Sequence, residues 1–167
     1  MNAELCDSSE TPSDYVRHSL VLVPVPGGSK GPRAPGWNKR ENCITDPVKA
    51  AAWRGNIGLA HAFSGTCAID FDRLDDATKF LKERGIDVSE LLNAFDAVRI
   101  SSGRPNRTKL VYRLDTPLPS LKLADGALEF RCASKNGATV HDLLPPSIHP
   151  DTRQRYRWEY AEPLIGH

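Results

Sequence analysis

Two aspartates one residue apart, Asp70 and Asp72, end the apolar run Cys67-Ala68-Ile69. On a strand, positions two apart project from one face. Both carboxylates are then expected to point together, with Phe71 packed in the core behind them. Adjacent carboxylates repel, and a cation relieves the repulsion. Hard oxygen donors of this kind suit magnesium or manganese. The plainer alternative is two solvated acids at a strand-to-helix junction, with Asp72 capping the helix that follows.

Three further stretches carry chemistry. Arg99 to Arg113 holds Arg99, Arg104, Arg107, Lys109 and Arg113 and no acid, whereas residues 70–96 hold eight acids against four bases. Bases around the turn Ser101-Ser102-Gly103 suit phosphate oxygens, or else decorate a solvated hairpin tip. In Leu128-Glu129-Phe130-Arg131, the alternation puts Glu129 and Arg131 on one face. Glu129 there either completes a carboxylate trio with Asp70 and Asp72 or forms a cross-strand ion pair. In Pro145-Pro146-Ser147-Ile148-His149-Pro150, the prolines stiffen a loop and pre-organise Ser147 and His149. His149 is suited to donate to a triphosphate or to act as an acid near a leaving group; the alternative is a rigid connector with an exposed ring. His18, His61, His141 and His167 show no ligand spacing and are read as structural or surface residues.

The elements that must position these residues follow from pattern. Leu20 to Val25, Asn56 to Ala60, Thr66 to Asp72, Val98 to Ser101, Lys109 to Leu114, Leu128 to Arg131, Leu143-Leu144 and Arg155 to Tyr160 read as strands. Asp46-Pro47 opens a short helix, and Leu74 to Arg84 forms another closed by Gly85. Leu91 to Phe95 adds a turn or two. Residues 26–42, rich in Gly, Pro and positive charge, form a long loop holding Lys30, Trp37 and Lys39. Helices in the first half and hairpins in the second make an α/β or α+β layout.

The bulk numbers exclude some classes. A chain of 167 residues suits one domain, and a net charge of +1 gives no global argument for nucleic acid. The four cysteines, Cys6, Cys43, Cys67 and Cys132, form no CxxC, which argues against zinc. No apolar run approaches the ~20 residues of a membrane span, and the first residues are polar. The expectation is a cytosolic protein with reduced cysteines. GxSxG, HExxH and GxxxxGK[ST] are all absent; Gly27-Gly28-Ser29-Lys30 only partly echoes the last.

In order along about Tyr15 to Trp158, the segments LVPVPGGSKGPRAPGW, NIGLA, AIDFD, RISSGRPNRTKLVYRL, LEFR and LPPSIHPDTRQRYRW resemble the N-terminal primase–polymerase domain of the archaeo-eukaryotic primase superfamily. The resemblance implies an N-terminal α/β unit packed on a unit similar to an RNA-recognition-motif sheet, with the active site between them. It implies a catalytic domain over 14–162, flanked by tails at 1–13 and 163–167. Asp70 and Asp72 match the first acidic motif, and Glu129 the third catalytic acid, where the family more often shows Asp. Lys109 stands where the family's middle motif has His; it offers a phosphate a point charge but no neutral imidazole.

The implied activity is two-metal nucleotidyl transfer in DNA replication, with Mg2+ or Mn2+ on Asp70, Asp72 and Glu129. Lys109, Arg131, Ser147 and His149 are the expected nucleotide contacts. Lys30, Trp37, Lys39, Arg104 and Arg107 are the expected nucleic-acid contacts. The implied partners are nucleoside triphosphates, a single-stranded DNA template and a separately encoded helicase, with no membrane. The alternative is a non-catalytic or degenerate module that binds nucleotide or DNA.

Overall fold

Residues 66–71 are apolar at alternate positions on one side and carry Ala68 and Asp70 on the other. In the computed structural model, which describes residues 10–159, this stretch is the strand from which the cleft is built. Among the described residues the helices are α1 Pro12–Arg17, α2 Pro47–Ala52, α3 His61–Ser64, α4 Leu74–Lys82 and α5 Val88–Asn93. The strands are β1 Leu22–Val25, β2 Asn56–Ala60, β3 Thr66–Phe71, β4 Val98–Ser101 and β5 Thr108–Arg113. They continue as β6 Leu121–Leu123, β7 Leu128–Arg131, β8 His141–Leu143 and β9 Arg157–Glu159. The fold is mixed α+β, with a three-stranded sheet ordered β1-β2-β8 and a six-stranded sheet ordered β6-β7-β3-β5-β4-β9. Every pairing in both sheets is antiparallel. No helix among the described residues is long and apolar enough to cross a membrane.

The six-stranded sheet obeys the period of two. Phe71, Leu110 and Leu128 turn to one face and pack with Ala77 and Leu81 of α4 and Val88 of α5. On the opposite side, Ile100 and Val111 join Tyr15, Leu22, Ile57, Leu59 and Leu144 in a core that ties the two sheets together. The sheets do not divide the chain into an earlier and a later unit. β8 comes from the second half yet completes the first sheet beside β2, and β3 comes from the first half yet sits inside the second. The β2–β8 approach needs Gly58, where a Cβ would lie 2.4 Å from His141 Nδ1.

Local chemistry sets the helix ends. α1 carries a reciprocal capping box between Thr11 and Asp14, so ordered structure starts before the expected boundary at residue 14. Asp46 caps α2 ahead of Pro47, and Asp87 caps α5. Gly85 follows α4 with φ 76°, the left-handed turn that suits glycine. Residues 1–9 and 163–167 of the expected tails, and Tyr160 of the last expected strand, lie outside the described residues.

Candidate active site

Register does most of the positioning. Asp70 on β3 is paired directly with Lys109 on β5 and with Glu129 on β7, so three charged side chains line up across one face of the sheet. Two positions away, the small Ala68 is flanked by Val111 and Arg131. Asp72 lies just past the end of β3. One ligand oxygen from each of Asp70, Asp72 and Glu129 lies within 4.8 Å of the others. All-oxygen donors gathered this closely fit a hard divalent cation.

Asp72 does not cap α4. The open N-terminus of α4 is met instead by Asn106, whose side chain accepts from Asp75 N at 3.0 Å and whose carbonyl accepts from Leu74 N at 2.9 Å. Asp72 pairs with Arg107, Nη1 to Oδ1, at 2.6 Å. The Ser101–Arg107 turn therefore both caps α4 and delivers a base to the acidic group.

The first sheet supplies the opposite wall. His141, Asp142 and Leu143 of β8 line one cleft together with Asp70, Asp72, Lys109 and Arg131 of the second sheet, and with Lys30, Arg104, Arg107, His149 and Tyr156. Asp142 is buried. Its Oδ1 receives Lys109 Nζ and, at 2.9 Å, Arg131 Nε; its Oδ2 meets His61 Nε2 at 2.8 Å. Lys109 Nζ is also 3.3 Å from Asp70 Oδ2, and Arg131 Nη1 is 3.1 Å from Glu129 Oε1. Burial alone would raise the Asp142 carboxyl, but Lys109, Arg131 and His61 hold it well below the usual range. Asp70 goes the other way: burial, with the negative charges of Asp142 and Asp72, pushes it up against the pull of Lys109 and Arg131. Lys109 loses by burial, yet Asp142 and Asp70 keep it above its ordinary value.

The chain also matches, over residues 13–165, the family model described as bifunctional DNA primase/polymerase, N-terminal, or Prim-Pol. The chain belongs to the Prim-Pol family. No curated protein and no solved structure matches it. Prim-Pol membership indicates metal-dependent nucleotidyl transfer in general, and the three converging acids give this chain a group able to hold the metal.

The other residues singled out in this Prim-Pol chain divide by location. Lys30, Arg104, Arg107, Lys109, Arg131 and His149 all line the cleft. The His149 ring is buried against Tyr156, with centroids 5.9 Å apart. Its Nδ1 accepts from Asp151 N and Thr152 N at 3.2 and 3.3 Å, which puts the proton of the neutral ring on Nε2. Burial, Lys30, Arg104 and Arg107 hold its pKa below the ordinary value. Ser147 corrects the expectation of a nucleotide contact. It is buried and outside the cleft lining, and its hydroxyl accepts from Ile57 N at 2.9 Å and donates to Ile57 O at 3.1 Å. It holds the loop that presents His149, and Asn56 clamps the same loop at Ile148 N and O.

Trp37 and Lys39 are likewise absent from that lining. Trp37 is half-buried, edge-on to His141 at 5.1 Å, and Lys39 is exposed. Asp142 and His141 are among the cleft residues that motif and spacing did not single out. The available signal was an acid inside the stretch Val140-His141-Asp142-Leu143-Leu144, bounded by apolar residues, because a buried charge requires a partner. Burial chiefly pushes His141 down to about 4, so its ring is neutral at pH 7.

Proposed function

We propose that this chain extends nucleic acid by metal-dependent nucleotidyl transfer from nucleoside triphosphates, directed by a single-stranded DNA template. The observation that carries the reading is the convergence of Asp70, Asp72 and Glu129 within 4.8 Å beside a wall of bases. Asp70, Asp72 and Glu129 would hold Mg2+ or Mn2+, which would make the attacking 3′-hydroxyl more acidic and offset the charge of the triphosphate. Asp70, Asp72 and Glu129 orient that hydroxyl at the end of β3 and β7. Lys109 and Arg131 balance the β- and γ-phosphates, and His149 donates from Nε2 to the pyrophosphate as it leaves. Lys30, Arg104 and Arg107 line the route for the template backbone.

The test is incorporation of labelled nucleotides on single-stranded DNA in manganese or magnesium. Wild-type protein incorporates label, and Asp72→Ala and Glu129→Ala lose it. Incorporation that survives both changes ends this reading. One observation favours a second reading, a nucleotide-binding module without transfer: Lys109 already pairs with Asp70, as an internal cation in the metal's place. Triphosphate binding that is indifferent to added manganese distinguishes that module.

A further inference from the structure

Phosphate binding alone does not explain how Lys109 and Arg131 are held. Each bridges two acids. Lys109 joins Asp70 to Asp142, and Arg131 joins Glu129 to Asp142. The two bases therefore share one acid, and each has one of the metal-binding acids as its second partner. The shared acid is of a different kind. Asp142 is 4% exposed, stands outside the convergent trio, and comes from the other sheet. Its second oxygen is fixed by His61, which is fully buried and is itself held through Nδ1 by Thr66 Oγ1 at 2.9 Å.

We propose that Asp142 is a positioning residue that retains Lys109 and Arg131 at the cleft when a divalent cation takes Asp70 and Glu129 from them, so that both bases pass to the triphosphate. The proposal rests on the nucleotidyl-transfer reading of the same site. Without a metal, the two bases neutralise the acids they will later release. Metal binding breaks the Lys109–Asp70 and Arg131–Glu129 contacts and leaves the contacts to Asp142 intact. Each base then remains anchored, with its outward charge uncommitted. Without the Asp142 carboxylate, Lys109 and Arg131 have Asp70 and Glu129 as their remaining partners and stay on them. Metal and triphosphate then both bind less well.

Charge alone predicts the reverse for the triphosphate, because removing an anion beside an anionic ligand strengthens its binding. The opposed signs make the proposal testable with Asp142→Asn, which keeps the shape of the side chain. Calorimetry on the whole chain, first with manganese alone and then with dATP plus manganese, reads both affinities without turnover. The expected result is about tenfold weaker manganese binding and about tenfold weaker dATP binding. Unchanged or tighter dATP binding overturns the proposal.

Lys109→Gln supplies a second arm that stands even where Asp142→Asn does not fold. It removes the competitor for Asp70, so manganese alone binds several-fold tighter while dATP binds more weakly. Manganese affinity that is unchanged or lower in that variant overturns the proposal too. Variants that show these binding shifts against a wild type that incorporates no label end the transfer reading and leave the positioning role standing. Wild-type protein that binds no manganese overturns the positioning role.

Discussion

Asp142 on the three-stranded sheet and Asp70 and Glu129 on the six-stranded sheet belong to one ion-pair network, yet they are supplied with positive charge very differently. Asp142 receives the charges of Lys109 and Arg131 on one oxygen and a hydrogen bond with His61 on the other, and is held well below the ordinary carboxylate range. Asp70 shares Lys109 with it, faces the like charges of Asp72 and Asp142, and is pushed up, first by its burial. A carboxylate surrounded by donors is a structural part, whereas one left short of positive charge retains affinity for a cation. Burial alone does not separate the two, since both are removed from solvent; the census of partners does.

The largest effect is expected where the supplied acid is removed. Asp142→Ala leaves Lys109 and Arg131 short of their common partner and should cost about 3–5 kcal/mol in chemical denaturation. Asp72→Ala, at a half-exposed position, should stay within about 1 kcal/mol. Equal losses for the two would erase the contrast. Next in size, Glu129→Gln should lower incorporation by roughly 10²–10³-fold at unchanged melting temperature. A melting temperature that falls with activity would make Glu129 a structural acid like Asp142.

Added manganese should stabilise wild-type protein by about 2.7 kcal/mol at a hundredfold excess over its Kd, and should not stabilise Glu129→Gln, as read by thermal melting. A fourth measurement uses pH. Asp142, lowered on folding, contributes stability that is present above its ordinary value of 3.8 and is lost as pH falls through its folded value. Asp70, raised on folding, behaves in the opposite way. Its contribution is fully present below 3.8 and is lost as pH rises through its folded value. Denaturation midpoints should therefore show Asp70→Asn gaining on wild type as pH rises, and the penalty of Asp142→Asn shrinking as pH falls. Parallel curves for the two variants would contradict the assignment. Ser147→Ala should leave function least changed: it should cost about 1–3 kcal/mol of stability by orphaning Ile57 N–H, with little change in the KM for nucleotide.

What could be read from the sequence was local. β2, β4 and β7 run over the stretches expected from alternation, and Gly85 stands at the turn after α4 where a glycine was expected. The period of two put Glu129 and Arg131 on one face but left Glu129 open between a carboxylate trio and an ion pair; the register of β3 and β7 that sets it beside Asp70 was not legible. β6 and α3 were missed: three and four residues respectively are too few to show a period. Asp142 was missed for a deeper reason. Its three partners lie 33, 11 and 81 positions away, and only the strand order brings them together. Ser147 was misjudged because a stiff loop shows which residues are fixed and not which way a hydroxyl turns.

Asp142 also has a mechanical consequence. It projects from one sheet, and two of its three partners, Lys109 and Arg131, project from the other, so charge rivets the seam between the layers at the floor of the groove. Prising the layers apart like the covers of a book would break both contacts at once. Loading a strand therefore has to be accommodated by the rim, where Lys30 and Asp151 meet in solvent and part at small cost.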